Sequence, residues 1–247
     1  DLNMKPVLRE KIQQMTTKIV FPVEQRYLKY QFDEKAFFNN TIAVKKETVK
    51  RRFQGLGMSE AGSTLQDEMF YPIDFRIWYN HLQNKINVPS GFLQPPYISS
   101  NYPKYLNYGS LGASIANAIM ENFGLSGEYV NKQGSIVSIK ENINQESYDK
   151  RAWCFTKEWN SSHVQERLET LSSGLKLAHK AYTRWQVKQP KQEQTLLTRN
   201  KFDQNQLFFL NYAQMMCMKI SNTFMYLKGS FWDNHVRLNW LVQNSPE

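Results

Sequence analysis

The chain has 247 residues, of which 41% are apolar and 14% aromatic, so it is long enough to bury a core and too apolar to be disordered. No stretch approaches the roughly eighteen consecutive apolar residues of a transmembrane helix. The formal charge of +9 permits a polyanion partner. However, no nucleic-acid-binding motif accompanies it, so we expect no nucleic-acid partner.

Two helices are predicted in the first sixty residues. Apolar residues recur at helical spacing from Val7 to Ile19, and Pro22 ends that pattern. A second helix is expected to start at Asp33, a good N-cap, and to end near residue 55 or 57, where glycines stand. Its buried side would consist of Phe38, Ile42, Val49 and Phe53. The densest basic runs, at 45–46 and 50–52, fall on this helix and indicate a solvated face.

A small sheet and further helices are predicted for the rest of the chain. Residues 75–79 alternate as a strand does, and Ile86 and Val88 indicate a short partner strand. An irregular proline-rich connection follows over 89–103. Helices are expected over about 111–123, 148–159 and 164–185, and Asp203 would cap another that buries Phe208 and Tyr212. The fold class is therefore mainly α with a small β-sheet.

The side chains exclude several kinds of chemistry. No two of the four histidines are three to five residues apart, so none can form a zinc-binding pair on one helical face. There is no phosphate-binding loop, paired-glycine dinucleotide loop or nucleophile elbow. The cysteines, Cys154 and Cys217, cannot make a disulfide framework alone. Sequons at Asn39 and Asn160 are consistent with a secreted protein, and we expect Asn160 to be glycosylated.

Five ordered segments resemble the neprilysin family of zinc metallopeptidases. They are NKINVPSGFLQPPY (84–97), LNYGSLGASIANAIMENFGLSGEYVNKQGSI (106–136), GLKLAHKAY (174–182), QLFFLNYAQMMC (206–217) and VRLNWLVQNSPE (236–247). The family reads approximately NxIVFPAGILQPPF in the first and QLFFLxFAQVWC in the fourth. The resemblance covers roughly 68–247 and implies a thermolysin-like, zincin-type catalytic domain. Residues 1–67 would form a helical scaffold or linker, and we expect the chain to be a piece of a longer ectodomain.

The resemblance places the family's zinc motif, HExxH, on residues that lack its chemistry. Its first histidine falls on Asn117, whose amide oxygen is a poor zinc ligand beside imidazole. Its general base falls on Ala118, which has no proton acceptor. Its second histidine falls on Glu121, which alone cannot build a metal site.

The family's third zinc ligand, a glutamate, is replaced as well. Counting back from residues 174–176 places it on Arg167 and the aspartate that supports the site on Leu171. A cation at a ligand position repels zinc. A shift of one residue would instead offer Glu166, with Thr170 at the aspartate position, which restores one ligand at most.

The family's substrate-handling positions are changed except for one. The asparagine that binds the peptide backbone falls on Arg76, and the histidine that stabilises the transition state falls on Phe231. Arg237 fits the family's substrate-binding arginine, although it would serve equally as a structural arginine paired with a carboxylate. The resemblance also implies that Cys154 and Cys217 bond to partners outside this segment and not to each other.

These positions favour a catalytically inactive neprilysin-like module without zinc. It would act outside the cell, secreted or at the plasma membrane, and bind a peptide or protein partner such as an active relative. Any membrane anchor would lie outside this segment. One alternative is a zinc metalloendopeptidase with a displaced or residual site. A second is a polyanion-binding surface, for which the basic helix over 45–52 is the sequence support.

Overall fold

The structure is a computed structural model that describes residues 4–20, 31–55, 76–81, 83–123, 128–130, 136–138, 144, 146–147, 150, 153, 162–189, 193 and 202–217. The chain divides into two compact units. One comprises Asp1–Lys18, Ile77–Val88 and Phe92–Glu247, and the other comprises Ile19–Arg76 and Pro89–Gly91. The expected boundary between residues 67 and 68 lies outside the described residues.

The N-terminal segment is a helix followed by a strand. Helix α1 spans Met4–Gln13, and strand β1 spans Thr16–Val20. The prediction of one helix reaching Ile19 is therefore wrong in its last part. The segment TTKIV is rich in β-branched residues, whose side chains fit a strand better than a helix, and a sheet is available for it to join.

The sheet contains three strands in the order β1-β3-β2. Strand β2, Trp78–Asn80, pairs antiparallel with β3, Lys85–Pro89, and Tyr79 lies opposite Ile86. The predicted partner strand is confirmed, whereas the first strand begins later than expected, at Trp78. One apolar cluster covers this sheet, and its buried members are Ile77, Tyr79, Ile86, Val88, Phe92, Leu111 and Ala118.

Asn84, in the turn before β3, forms hydrogen bonds with residues of α1, β1 and β2. Its φ of 49° is in the left-handed region, which asparagine tolerates better than most residues. The Tyr79 hydroxyl donates to Asn84 Oδ1 at 2.6 Å, and Asn84 Nδ2 donates to the Lys11 carbonyl at 2.8 Å. The Asn84 carbonyl accepts from the Thr16 amide at 3.0 Å. The turn thus holds α1, β1 and β2 around the start of β3.

We expect Asn84→Ala to lower the free energy of unfolding by about 2 kcal/mol. Two side-chain hydrogen bonds would be lost, and alanine would adopt the left-handed backbone at a further cost of about 1 kcal/mol. Asn84→Gly is the matched control, because it removes the same bonds without the backbone strain. Urea unfolding of both variants measures the difference, and equal losses would show that the backbone conformation contributes nothing.

A helical run carries the segment with the HExxH positions. It consists of α3, Lys104–Asn107, a π-helical segment, Tyr108–Gly112, and α4, Ala113–Glu121. The predicted helix over 111–123 therefore starts earlier than expected. Helix α5, Ser162–Val187, confirms the predicted helix over 164–185. Only isolated residues of the predicted helix over 148–159 are described.

Helix α6, Gln204–Met215, begins as the sequence predicts. Asp203 accepts from the Gln206 amide at 2.7 Å, and the Gln206 side chain accepts from the Asp203 amide at 2.9 Å, which is a capping box.

Helices α3, α4, α5 and α6 contribute to one apolar core. Its most deeply buried large side chains are Tyr105, Leu168, Tyr182 and Phe208. A hairpin of β4, Glu128–Val130, and β5, Ile136–Ser138, was not predicted from the sequence.

The second unit contains helix α2, Phe37–Gly55. It begins four residues after the expected cap, because Asp33 instead closes the preceding turn, in which its carbonyl accepts from Asn40 Nδ2 at 2.6 Å. The predicted buried side is also wrong: Phe38 is 73% exposed, Phe53 is 70% exposed, and Val49 is exposed as well. The spacing of apolar residues shows that they share one face of a helix. It does not show whether another part of the protein packs on that face and buries it. Among the described helices, none has the length and apolar character to cross a bilayer.

Candidate functional site

The HExxH positions lie on α4, with 117 and 121 one turn apart on the same face. Asn117 and Glu121 are half-buried. Ala118 is 1% exposed and belongs to the apolar cluster that covers the sheet. Ala118, the predicted counterpart of the family's general base, is therefore part of the apolar packing between α4 and the sheet.

Helix α5 crosses α4 directly at Asn117. A β-carbon built on Gly174 would lie 2.8 Å from both the Cα and the backbone nitrogen of Asn117, and nearer still to its Oδ1. Asn117 Oδ1 is buried and accepts no hydrogen bond from the residues that the structure describes. The crossing therefore places the side chain of position 117 against the backbone of α5.

Helical spacing relates the predicted site positions of α5 to this crossing. Position 167 precedes Gly174 by seven residues, close to two full turns, so the two positions share a face of α5. Position 166 is rotated by about 80° from that face. The spacing favours the predicted register with Arg167 and Leu171, and Leu171 packs against the core that contains Leu168. The roles of these positions stay predictions.

The residues present on α4 do not fit a zinc ion. The position of the first histidine carries an amide packed on Gly174, the base position carries a methyl group, and one carboxylate remains at Glu121. Within the described part of the chain, no three residues among His, Cys, Asp and Glu come together as a metal site. Loss of zinc stays a prediction, because not all candidate ligands are described.

The remaining predicted site residues are dispersed or lie outside the described residues. Arg76 is exposed and precedes the buried Ile77 at the start of the β2 segment. Phe231 and Arg237 lie outside the described residues, and their roles stay predictions. Cys217 is exposed after α6, and Cys154 lies outside the described residues. The statement that the two cysteines do not bond to each other stays a prediction.

Sequence reasoning missed a buried lysine beside the sheet. Lys11 is 4% exposed, and its Nζ lies 5.6 Å from the centre of the Tyr79 ring, a cation–π geometry. Burial lowers the pKa of Lys11 to about 8. Burial also raises the pKa of the Tyr79 phenol. The lysine spacing in α1 alone gave no signal of this site.

The buried lysine predicts a pH dependence of stability. Because the pKa of Lys11 is about 8 in the folded chain and 10.5 when unfolded, the unfolded state binds more protons between these values. The free energy of unfolding should therefore rise from pH 8 to about pH 10. Above pH 10 it should fall, because burial raises the folded pKa of Tyr79 and Tyr182. Urea unfolding across this range should show the rise, and Lys11→Met should abolish it; a rise that persists in Lys11→Met would assign it to another group.

Solved structures define the class of the fold. The chain superposes on a structure of the Haemonchus galactose-containing glycoprotein complex with a TM-score of 0.74 and 18% identity, covering 99% of this chain and 44% of that one. It superposes on an inhibitor-bound Mycobacterium tuberculosis zinc metalloprotease with a TM-score of 0.67 and 18% identity, covering 98% and 39% of the two chains. The fold is that of a zinc metalloprotease domain, as the sequence predicts.

The family follows from the sequence itself. The profile of peptidase family M13 matches residues 77–247, so the chain belongs to this family, the neprilysin family of zinc-dependent metallopeptidases. It is 26% identical over 209 residues to an endothelin-converting enzyme homolog of Locusta migratoria, covering 79% of this chain and 28% of that protein. It is 28% identical over 185 residues to Neprilysin-1 of Caenorhabditis elegans, covering 69% of this chain and 24% of that protein. The chain thus spans about a quarter of the relatives' length.

Proposed function

We propose that this chain is a catalytically inactive member of the neprilysin family that acts as an extracellular binding or regulatory module. The observation that carries the proposal is Ala118, which stands at the general-base position and is 1% exposed within an apolar cluster. A metallopeptidase needs a proton acceptor beside the zinc-bound water. A buried methyl group neither accepts a proton nor admits the water.

The environment of Asn117 supports the same proposal. Its amide lies where the family places a zinc-binding imidazole, and Gly174 of α5 contacts it. The apolar residues around α4 still form a core. A fold that keeps its apolar core while the side chains at its reactive positions are replaced is suited to binding.

The proposed partner is a peptide or a protein, such as an active member of the same family. An extracellular location, secreted or on the plasma membrane, agrees with the name of one relative, membrane metallo-endopeptidase-like 1 of Homo sapiens, which is 25% identical over 218 residues. Any anchor would lie outside this segment. Arg76, which is exposed, and Arg237 are the side chains we propose for contact with the partner.

The alternative is a zinc metalloendopeptidase that uses a displaced or residual site. Membership of family M13 favours it, since relatives in this family carry the names of metalloendopeptidases. Glu121 would be one ligand, and the others would have to come from residues outside the described part of the chain.

Metal analysis tests the proposal. We expect the purified protein, dialysed against buffer with micromolar zinc and then against metal-free buffer, to retain far less than one equivalent of zinc. It should also cleave no fluorogenic peptide above the rate of a blank. An active family member treated identically is the control for metal loss during dialysis. One equivalent of zinc that a chelator removes, together with peptide cleavage that zinc restores, would establish the alternative instead.

A further inference from the structure

A row of basic side chains runs along the solvent face of α5. Its members are Lys176, Lys180, Arg184 and Lys188, which we call the α5 basic row, and all four are exposed. The sequence contains no Asp or Glu from residue 170 to residue 192. Among the residues that the structure describes, none of the four forms an ion pair with a carboxylate. Within the described part of the chain, the row is therefore a stretch of positive charge without a paired carboxylate.

The four-residue spacing places the basic side chains next to one another along α5. Each member follows the previous one by four residues, so neighbouring charges rise by about 6 Å and the row extends about 18 Å along the helix. The face opposite to it carries Leu175, Ala178 and Tyr182, which are buried in the core. Because this packing fixes the helix, it also fixes the direction in which the row faces.

Ordinary helix energetics explain only part of this arrangement. Cations in the last turn of a helix interact favourably with its dipole, which accounts for Arg184; Lys188 directly follows the last residue of α5. The dipole effect does not reach Lys176 and Lys180, which lie two or more turns from the end. Like charges four residues apart repel each other, and most helix surfaces intersperse both signs. The row thus carries a repulsion that a bound polyanion would relieve.

We propose that the α5 basic row binds a linear sulfated polysaccharide. Its sulfates are separate charges on an extended chain, so they can follow a line of cations along one side of a helix. The exposed side chains between the basic ones are Leu177, Ala181, Thr183 and Val187, none of which is aromatic. Single-stranded nucleic acids are usually held by stacking on exposed aromatic rings, whereas the aromatic residue within the row, Trp185, is half-buried and stacks on Tyr182. The proposal concerns a different helix face from that at Asn117 and does not depend on the loss of peptidase chemistry.

The test removes the row and compares it with an equal loss of charge elsewhere. The first variant of the purified protein carries K176Q, K180Q, R184Q and K188Q. The control carries K5Q, R9Q, K35Q and K150Q, which also removes four exposed positive charges, none of them on α5 or on the basic helix over 45–52. Titration calorimetry with a heparin oligosaccharide in 0.15 M salt measures both, and circular dichroism melting shows that both remain folded.

We expect the row variant to bind at least about tenfold more weakly, and the control to change less than about threefold. The slope of log affinity against log salt should fall by about 3 in the row variant, because fewer counterions are released. Equal weakening in both variants would overturn the proposal, since net charge alone would then explain binding. Retained binding of desulfated heparin would also overturn the proposal. So would a 20-base-pair DNA duplex that binds as tightly as heparin and loses its affinity in the row variant.

Discussion

Replacing Gly174 with alanine is expected to lower the free energy of unfolding by about 2 kcal/mol. The added β-carbon would lie 2.8 Å from the Cα and the backbone nitrogen of Asn117, closer than such carbons approach in folded proteins. Both contacts are to backbone in the middle of α4, so no side-chain rotation relieves them and the two helices must separate. Overpacking of this kind costs roughly 1–3 kcal/mol, which exceeds the gain of about 1 kcal/mol from alanine's helix propensity in a less constrained site.

Gly112→Ala is the matched control for this prediction. A β-carbon there would meet the Asn107 carbonyl at 3.4 Å and the Tyr108 side chain at 3.6 Å, which are ordinary contacts. Its backbone is helical, with φ of −58° and ψ of −45°, so alanine should be neutral or slightly stabilising. Urea unfolding measures both variants. A Gly174→Ala variant as stable as the Gly112→Ala variant would contradict the close crossing of α4 and α5.

The combined variant Asn117→His, Ala118→Glu, Glu121→His and Arg167→Glu is expected to gain zinc affinity. It restores the positions that bind zinc or activate water, and 117 and 121 share a face of α4. Position 167 shares a face of α5 with Gly174, which contacts residue 117. Zinc titration followed by calorimetry measures the gain, and Asn117→His with Glu121→His alone is the control that lacks the third ligand.

The same variant should remain a poor peptidase. The missing oxyanion donor at Phe231 costs about 10²–10³ in rate, and Leu171, which cannot hydrogen-bond to a zinc ligand as the family's aspartate does, costs roughly another 10–100-fold. Arg76 still replaces the asparagine that would position the peptide. The structure adds a cost in stability, because the Ala118→Glu substitution places a carboxylate in an apolar cluster. Absence of zinc uptake would contradict the alignment of the site, and turnover near that of active relatives would contradict a loss beyond the metal.

Motifs with a local cause were predicted correctly from the sequence. Asp203 caps α6 because its partner Gln206 lies three residues away, and the capping box needs nothing else. The buried residues of α5, such as Leu168 and Tyr182, follow from helical spacing alone. The LQPP and LFFL segments were specific enough to identify the family. By contrast, the strand β1 and the exposed face of α2 were predicted incorrectly, because both depend on which surface lies beside them.

The sequence by itself determined the family and the fold class, since both depend on residue identity at known spacing. The replacement of the zinc motif is a prediction from the same spacing. Only the tertiary structure decided that Gly174 contacts Asn117, that Ala118 is enclosed by apolar side chains and that Lys11 is buried over Tyr79. These contacts join residues far apart in the chain, and local propensity carries no information about them. The α5 basic row depends on both. The sequence gives the spacing of its four cations, and the packing of the opposite face of α5 on the core decides that they are exposed.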